Sequence, residues 1–213
     1  LDRLVGIDAR RRMPELASQP FSTWFRERAP RAAADAPVVV FYNDTFTEYN
    51  EPEIGRAAVA LLEAAGYRVE LPQTRRCCGR PMISKGFLEQ ARQRAAENIE
   101  ALRPYVARGW PIVGVEPSCL LAYRDDYIDL APDEDAARQV AGNVFMLDEF
   151  LARHLEEGGR LPFADVRKRV LFHGHCHQKA LIGTSAAMRV LSAPAGYDVE
   201  EIPSGCCGMA GSF

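Results

Sequence analysis

Apolar residues along this chain recur with the periods of strands and helices in turn, most clearly from residue 37 onward. The apolar run 38–41 predicts a buried strand, and residues 67–71 alternate as a second strand. Between them, residues 51–65 place apolar side chains at helical spacing, and Gly66 provides a stop. The pattern further predicts one strand and two longer helices, at 111–115, 87–106 and 133–157. Strands and helices in this order are typical of an α/β fold with largely parallel sheets.

The second part of the chain repeats the pattern of the first. Its predicted elements are a strand, a helical stretch and a strand, at 170–172, 179–191 and 197–202. The sequence Gly-Tyr-Arg-Val-Glu at 66–70 returns as Gly-Tyr-Asp-Val-Glu at 196–200. We therefore expect two pseudo-repeated βαβ halves, over about residues 37–130 and 168–213.

Composition narrows the class of protein. The chain has 213 residues, of which 47% are hydrophobic and 26% charged, so it is long and apolar enough to bury a core. A formal net charge of −3 gives no sign of nucleic-acid binding. The sequence contains neither an apolar run long enough to span a membrane nor a signal peptide, which predicts a cytoplasmic location. Because the sequence starts at Leu1 instead of Met, we expect a piece of a longer polypeptide.

Residues 1–35 predict a linker. The stretch is interrupted by proline and rich in arginine, with one short amphipathic piece around Phe21, Trp24 and Phe25. We expect these aromatic side chains to dock on the core of this same chain, although docking on a neighbouring module is the alternative.

The six cysteines cluster in four short motifs. In a reducing compartment, clustered thiols more often bind metals or carry out redox chemistry than form structural disulfides. Each motif follows directly after a predicted strand, at the edge where open α/β sheets bind ligands. We therefore predict a metal site there, and its candidate ligands are Cys77, Cys78, Cys119, Cys176, Cys206 and Cys207. Redox disulfides and plain burial of small apolar side chains are the alternatives.

Two of the motifs are Cys-Cys-Gly, which favours a cluster over a single ion. Adjacent cysteines point apart in an extended chain and chelate one small ion poorly, whereas a cluster of several irons can take both. The following glycine lets the backbone turn tightly. Three histidines alternate around Cys176, and we consider them as ligands or as donors to a metal-bound sulfur: His173, His175 and His177. A Cys–His nucleophile and a plain hydrogen-bonded loop stay open as alternatives.

Five motifs together resemble the cysteine-rich CCG domain. They are Phe-x-x-Asp-Thr-Phe at 41–46, Cys77-Cys78-Gly-Arg-Pro, Glu-Pro-Ser-Cys119, Gly-His-Cys176-His177 and Ser-Gly-Cys206-Cys207-Gly. The domain occurs in heterodisulfide reductase, in the iron–sulfur protein of glycolate oxidase and in the small subunit of anaerobic glycerol-3-phosphate dehydrogenase. The chain is similar in particular to the C-terminal part of FAD-linked dehydrogenases of the D-lactate or D-2-hydroxyacid type. The resemblance covers nearly the whole chain, with the CCG domain at residues 36–213. The segment 6–14 resembles the linker that follows a ferredoxin-like module, which makes residues 1–35 that linker.

The resemblance implies a role in electron transfer. An FAD-binding module would oxidise a hydroxy acid, ferredoxin-like clusters would carry the electrons, and this domain would hold a further iron–sulfur cluster of the [4Fe–4S] type. The chain would then be part of an oxidoreductase without being catalytic alone, with an unknown acceptor and FAD only in an associated module. Association with the periphery of the inner membrane fits such a complex.

The sequence departs from the full family motif in the first repeat. Asp44 or Thr45 stands where a leading cysteine would fall, and Ala122 replaces a closing one. A single centre using sulfurs from both halves is one interpretation of this pattern. A mononuclear iron or zinc at Cys176, Cys206, Cys207 and one histidine is another. A zinc-stabilised interaction domain and a thiol–disulfide enzyme are the competing functions.

Overall fold

The computed structural model describes residues 14–205, so Cys206, Cys207 and the first part of the predicted linker lie outside the described residues. The helices in this range are α1 Phe21–Glu27, α2 Thr45–Tyr49, α3 Pro52–Ala64, α4 Arg80–Ser84, α5 Leu88–Val106, α6 Pro117–Leu120, α7 Asp126–Leu130, α8 Glu134–Ala141, α9 Leu147–Glu156, α10 Cys176–Leu181 and α11 Ser185–Leu191. The strands are β1 Val38–Phe41, β2 Arg68–Glu70, β3 Ile112–Gly114, β4 Val144–Met146, β5 Lys168–Phe172 and β6 Tyr197–Glu201. One 3₁₀ turn, Leu121–Tyr123, follows α6.

A four-stranded parallel sheet forms the centre of the fold, in the order β2-β1-β3-β4. Its inner strands are covered on both faces, so Val39, Val40 and Val113 are fully buried. This explains why the sequence shows a continuous apolar run there instead of an alternation. The parallel strands and the helices between them confirm the predicted α/β class.

The two helices with the clearest periodicity form as predicted. Helix α3 begins with a proline in its first turn, where the missing N–H costs nothing, and the chain turns at Gly66 with φ +92°. Of the five apolar positions that share one face of helix α5 in the sequence, Ala91, Ala95, Ile99 and Leu102 are buried, and Leu88 at the start of the helix is 44% exposed.

Two predicted helices are each interrupted in the structure. The helix predicted over 133–157 is wrong as a single element, because β4 separates α8 from α9 and completes the edge of the sheet. The stretch 179–191 likewise divides into α10 and α11 at Gly183, whose φ of +74° ends a right-handed helix. A three-residue strand between helices leaves too short a pattern to show its own period.

A separate two-stranded parallel sheet, β5-β6, forms the second half. Val170 pairs with Val199 in this sheet, as Val39 pairs with Val69 in the first. The two strand pairs therefore share the register that the sequence repeat requires. The two strand pairs differ in solvent exposure. Leu171 of β5 is 57% exposed, whereas most of the corresponding strand β1 is buried.

The amphipathic piece of the predicted linker is helix α1, and it packs on the core of this chain. Phe21 is fully buried, with its ring centroid 5.5 Å from that of Phe41. Arg28, just after the helix, forms a buried ion pair with Glu63 of α3 at 2.7 Å. Among the described residues, no helix is both long and apolar enough to cross a membrane.

Candidate metal centre

The loops that leave β1, β2 and β3 meet at the carboxyl edge of the sheet. The loop after β2 carries Cys77 and Cys78, and the loop after β3 carries Cys119 at the start of α6. Asp44 follows β1 and caps α2, accepting from the backbone N–H groups of Phe46 and Thr47. Of the two positions where the resemblance places a leading cysteine, Asp44 is thus a helix cap and Thr45 is the first residue of that helix.

Three thiols form one line of contacts at this edge. The Cys78 thiol lies within hydrogen-bonding reach of both Cys77 and Cys119, and the hydroxyl of Thr45 reaches Cys77. Cys78 and Cys119 are buried, whereas Cys77 is exposed. The sequence places these cysteines 42 positions apart at most, and the parallel sheet brings them together.

The surroundings of these thiols disfavour the free thiolate. The contact with Cys78, together with burial, raises the pKa of Cys77 well above its usual value. The contact with Cys119 raises the pKa of Cys78 to about 12, with burial adding to it. The contact with Cys78 lowers the pKa of Cys119, but burial and the charges of Glu116 and Asp44 outweigh it, so the pKa is raised. A bound metal cation would stabilise the thiolate forms of these three cysteines, because its positive charge interacts directly with their sulfur atoms.

Three buried side chains donate hydrogen bonds to the backbone of the Cys-Cys turn from the core side. The carbonyl oxygens of three consecutive residues accept one hydrogen bond each: Arg76 from Tyr42 at 3.1 Å, Cys77 from Asn98 at 3.2 Å and Cys78 from Tyr127 at 2.8 Å. No motif in the sequence predicts these donors. Asn98 left a signal, since it is a polar residue within the buried stripe of α5.

Glu116 shapes the third loop. Its side chain accepts from the backbone N–H of Cys119 at 2.6 Å and so caps the short helix α6. The Cys119 thiol thereby faces the Cys-Cys turn from a fixed backbone position.

The loop after β5 brings the second half to the same edge. Side-chain atoms of His175, Cys176 and His177 lie within 4.8 Å of one another. His175 Nε2 is 3.4 Å from the Ser118 hydroxyl, next to Cys119. Burial lowers the pKa of His177, and the charge of Arg80, next to the Cys-Cys-Gly turn, lowers it further. Thus two of the three predicted histidines face the first half.

His173 takes a different position. Its Nε2 is 2.6 Å from the Ser204 hydroxyl. It therefore contacts the segment that leads to Cys206 and Cys207, which lie outside the described residues.

The residues present fit a thiolate-ligated metal group. Three thiols, with Cys78 contacting both of the others, on turns that end parallel strands are the donor type that iron–sulfur clusters use. The His-Cys-His group also offers the nitrogen and sulfur ligands that zinc prefers. In the described part of the chain both donor sets occupy the same edge of the fold.

Comparisons with known proteins support this interpretation. Residues 38–124, which include Cys77, Cys78 and Cys119, match the family model of the CCG cysteine-rich domain. One subunit of the anaerobic glycerol-3-phosphate dehydrogenase of Escherichia coli (strain K12) is 30% identical over 214 residues, covering all of this chain and 54% of that protein. The chain thus spans about half the length of this relative.

Two further proteins are similar in sequence to this chain. The D-2-hydroxyglutarate dehydrogenase of Escherichia coli (strain K12) is 34% identical over 85% of this chain and 17% of its own length. Lactate utilization protein A of Bacillus subtilis (strain 168) is 28% identical over 76% of this chain and 68% of its own length. No solved structure matches the chain.

Proposed function

Because residues 38–124 match the family model of the CCG cysteine-rich domain, and a dehydrogenase and a dehydrogenase subunit are among the proteins that the chain is similar to, we propose that it is the iron–sulfur electron-transfer domain of an FAD-linked dehydrogenase of the D-2-hydroxyacid type. The observation that carries the proposal is the line of contact from Cys77 through Cys78 to Cys119. A cluster bound there would supply reversible one-electron transfer between flavin and acceptor.

We assign a role to each cysteine and to two of the histidines of the candidate metal centre. Cys77, Cys78 and Cys119 hold the group from the first half, and Cys176 approaches from the second half on the same edge. Cys206 and Cys207 are proposed as further ligands on the evidence of the repeat alone. His175 and His177 donate hydrogen bonds toward bound sulfur, because they face Ser118 and Arg80 across the boundary between the halves.

The proposed partners follow from the same family. They are an FAD-binding module and a ferredoxin-like module of one polypeptide or complex, in the cytoplasm or at the inner face of the membrane. The exposed side of Cys77 is the part of the site through which an acceptor can approach, since Cys78 and Cys119 are buried.

Anaerobic purification followed by iron, sulfide and zinc analysis tests the proposal. We expect iron with matching sulfide and a broad brown absorption in the native protein. Cys78→Ser and Cys176→Ser are compared with Ser192→Ala, a control outside the site. Loss of iron in both cysteine variants supports one centre drawing on both halves, and loss in Cys78→Ser alone restricts it to the first. Native protein with neither iron nor sulfide above background would contradict the proposal.

Zinc binding is the second candidate, and the His175–Cys176–His177 group is the observation that favours it. On this alternative the protein is a structural or interaction domain without a redox role. It predicts a colourless sample with one zinc per chain, and a lower Tm after treatment with a chelator. His177→Ala would then lose the metal while Cys78→Ser keeps it.

A further inference from the structure

One peptide group connects the buried core to the exposed thiol. The carbonyl oxygen of Cys78 accepts a hydrogen bond from the Tyr127 hydroxyl at 2.8 Å. The N–H at the other end of that group belongs to Gly79, and it lies in hydrogen-bonding range of the Cys77 sulfur. Because a peptide group is planar and trans, its C=O and N–H point in opposite directions. A donor that fixes the carbonyl inward therefore fixes the N–H toward the sulfur.

We propose that Tyr127 is a positioning residue of the metal centre, which acts through the Cys78–Gly79 peptide on the sulfur of Cys77. The inference rests on the proposed function, since it concerns how the chain holds a metal-bound thiolate. Tyr127 touches neither sulfur nor metal, and its effect passes through the backbone.

The direction of the Tyr127 hydroxyl is fixed by its neighbours. Asn98 donates from Nδ2 to the Tyr127 oxygen at 3.0 Å, which leaves the phenolic proton to point at Cys78. The other end of the Asn98 amide accepts from the backbone N–H of Arg76 at 2.9 Å, so the amide orientation is set as well. Tyr127 is fully buried, and its ring packs against Tyr123 with centroids 4.6 Å apart.

The hydrogen bond to the carbonyl strengthens the donor at the other end. An accepting carbonyl polarises its own peptide group, so the Gly79 N–H becomes a better donor to sulfur. Hydrogen bonds to metal-bound sulfur stabilise its more electron-rich state and thereby raise the reduction potential. Gly79 has φ +77°, a conformation that glycine adopts without strain, so without the Tyr127 bond this peptide is freer to rotate away.

Tyr127→Phe tests the proposal, with Tyr123→Phe as its matched control. Both changes remove one buried phenolic oxygen. The Tyr123 hydroxyl interacts with that of Tyr42 and, within residues 14–205, donates to no carbonyl of the Cys-Cys turn. The probe is Co²⁺ added to anaerobic metal-free protein, followed by its thiolate charge-transfer absorption, with Cys78→Ser showing that the signal comes from the first-half thiols. The midpoint potential of the reconstituted iron–sulfur protein is the second readout, and the Tm of the metal-free protein is the third.

We expect Tyr127→Phe to raise the Kd for Co²⁺ by about tenfold, as removal of an outer partner of a ligand does, and to shift the midpoint potential to more negative values. Tyr123→Phe is expected to leave both unchanged. Equal effects in the two variants, or a lower Tm in Tyr127→Phe without a change in Kd or potential, would overturn the proposal and leave Tyr127 as a packing residue. A wild-type protein that binds neither cobalt nor iron would instead overturn the proposed function.

Discussion

Single buried carboxylates connect parts of this fold that are far apart in sequence. Glu48 is nearly inaccessible, and it accepts from the hydroxyl of Ser22 in α1 at 2.7 Å and from Asn43 at 2.6 Å. Arg75 lies 3.7 Å from the same carboxylate, two residues before Cys77. One side chain thereby joins α1, the end of β1 and the cysteine loop, because a buried carboxylate is stable only when its oxygens are paired.

Phe21 is expected to be the most sensitive position of α1. Phe21→Ala should lower the free energy of unfolding by about 3–5 kcal/mol, since it opens a cavity between α1, α3 and β1. Urea unfolding monitored by circular dichroism measures the change. Phe87→Ala is the control, because Phe87 is 57% exposed and should cost far less. Similar losses in the two variants would show that α1 does not pack on the core in solution.

Asp148 at the start of α9 predicts a pH dependence of stability. Burial raises its pKa, although the neighbouring backbone N–H of Glu149 and the side chain of Gln178 donate to it. The folded protein therefore binds a proton more readily than the unfolded chain. Stability attributable to this group is present at low pH and falls as the pH rises through the raised pKa.

Asp148→Asn should accordingly increase the free energy of unfolding at pH 7, and the difference from wild type should disappear in acid. Urea titrations at pH 7 and pH 4 measure it, with the exposed Asp165→Asn as control. A less stable Asp148→Asn protein at pH 7 would mean that the hydrogen bonds to the charged carboxylate outweigh its burial.

At the scale of elements, what could be predicted depended on length and on local pattern. Helix α5 has five turns, so its apolar stripe is unmistakable, and β1 is a continuous apolar run. Strand β4 has three residues between two helices, and its apolar side chains continue the helical spacing of its neighbours. Only the partner strand β3, more than 30 positions earlier, makes it a strand.

The same limit applies to the site. The cysteines stand at strand ends, which a pattern shows, and their position at one edge follows from parallel pairing. The hydrogen bonds from Tyr42, Asn98 and Tyr127 to the turn join three elements across distances of 21 to 49 positions. No local period encodes such contacts, because they exist only after the sheet and helices have packed.

Two glycines with positive φ, one in the turn between β2 and α4 and one between α3 and β2, are expected to differ in their effect on metal binding. Gly79→Ala and Gly66→Ala both place a side chain at positive φ, +77° and +92°, and each should cost about 1–2 kcal/mol. Gly79→Ala alone should also reduce the iron content, since Gly79 directly follows the proposed ligands Cys77 and Cys78. Metal analysis of both variants, normalised to folded protein, checks this. Equal iron content would show that the turn tolerates the change.

For the whole molecule, the two sheets differ in how well they are covered. The inner strands of the four-stranded sheet are buried on both faces, while β5 and β6 are largely exposed. Local stability follows burial, because opening an exposed strand pair gives up few apolar contacts.

Hydrogen–deuterium exchange should therefore separate the two sheets. We expect the amides of β1 and β3 to exchange slowest and those of β5 and β6 much faster, in metal-free protein. Iron loading should slow exchange in residues 173–178 if the centre draws on both halves. Uniform protection of both sheets would contradict the difference inferred from burial.

Helix α1 has a practical consequence for how this protein is divided. The inherited CCG unit is recognised from residue 38, but the folded body includes Phe21 and Arg28. A recombinant fragment cut at residue 37 would leave Glu63 as a buried charge without its cation and would open the Phe21 site to water. Such a fragment would aggregate during expression although every cysteine of the match is present. The start of the family match and the start of the folded core lie about one helix apart. A fragment for expression should therefore include helix α1.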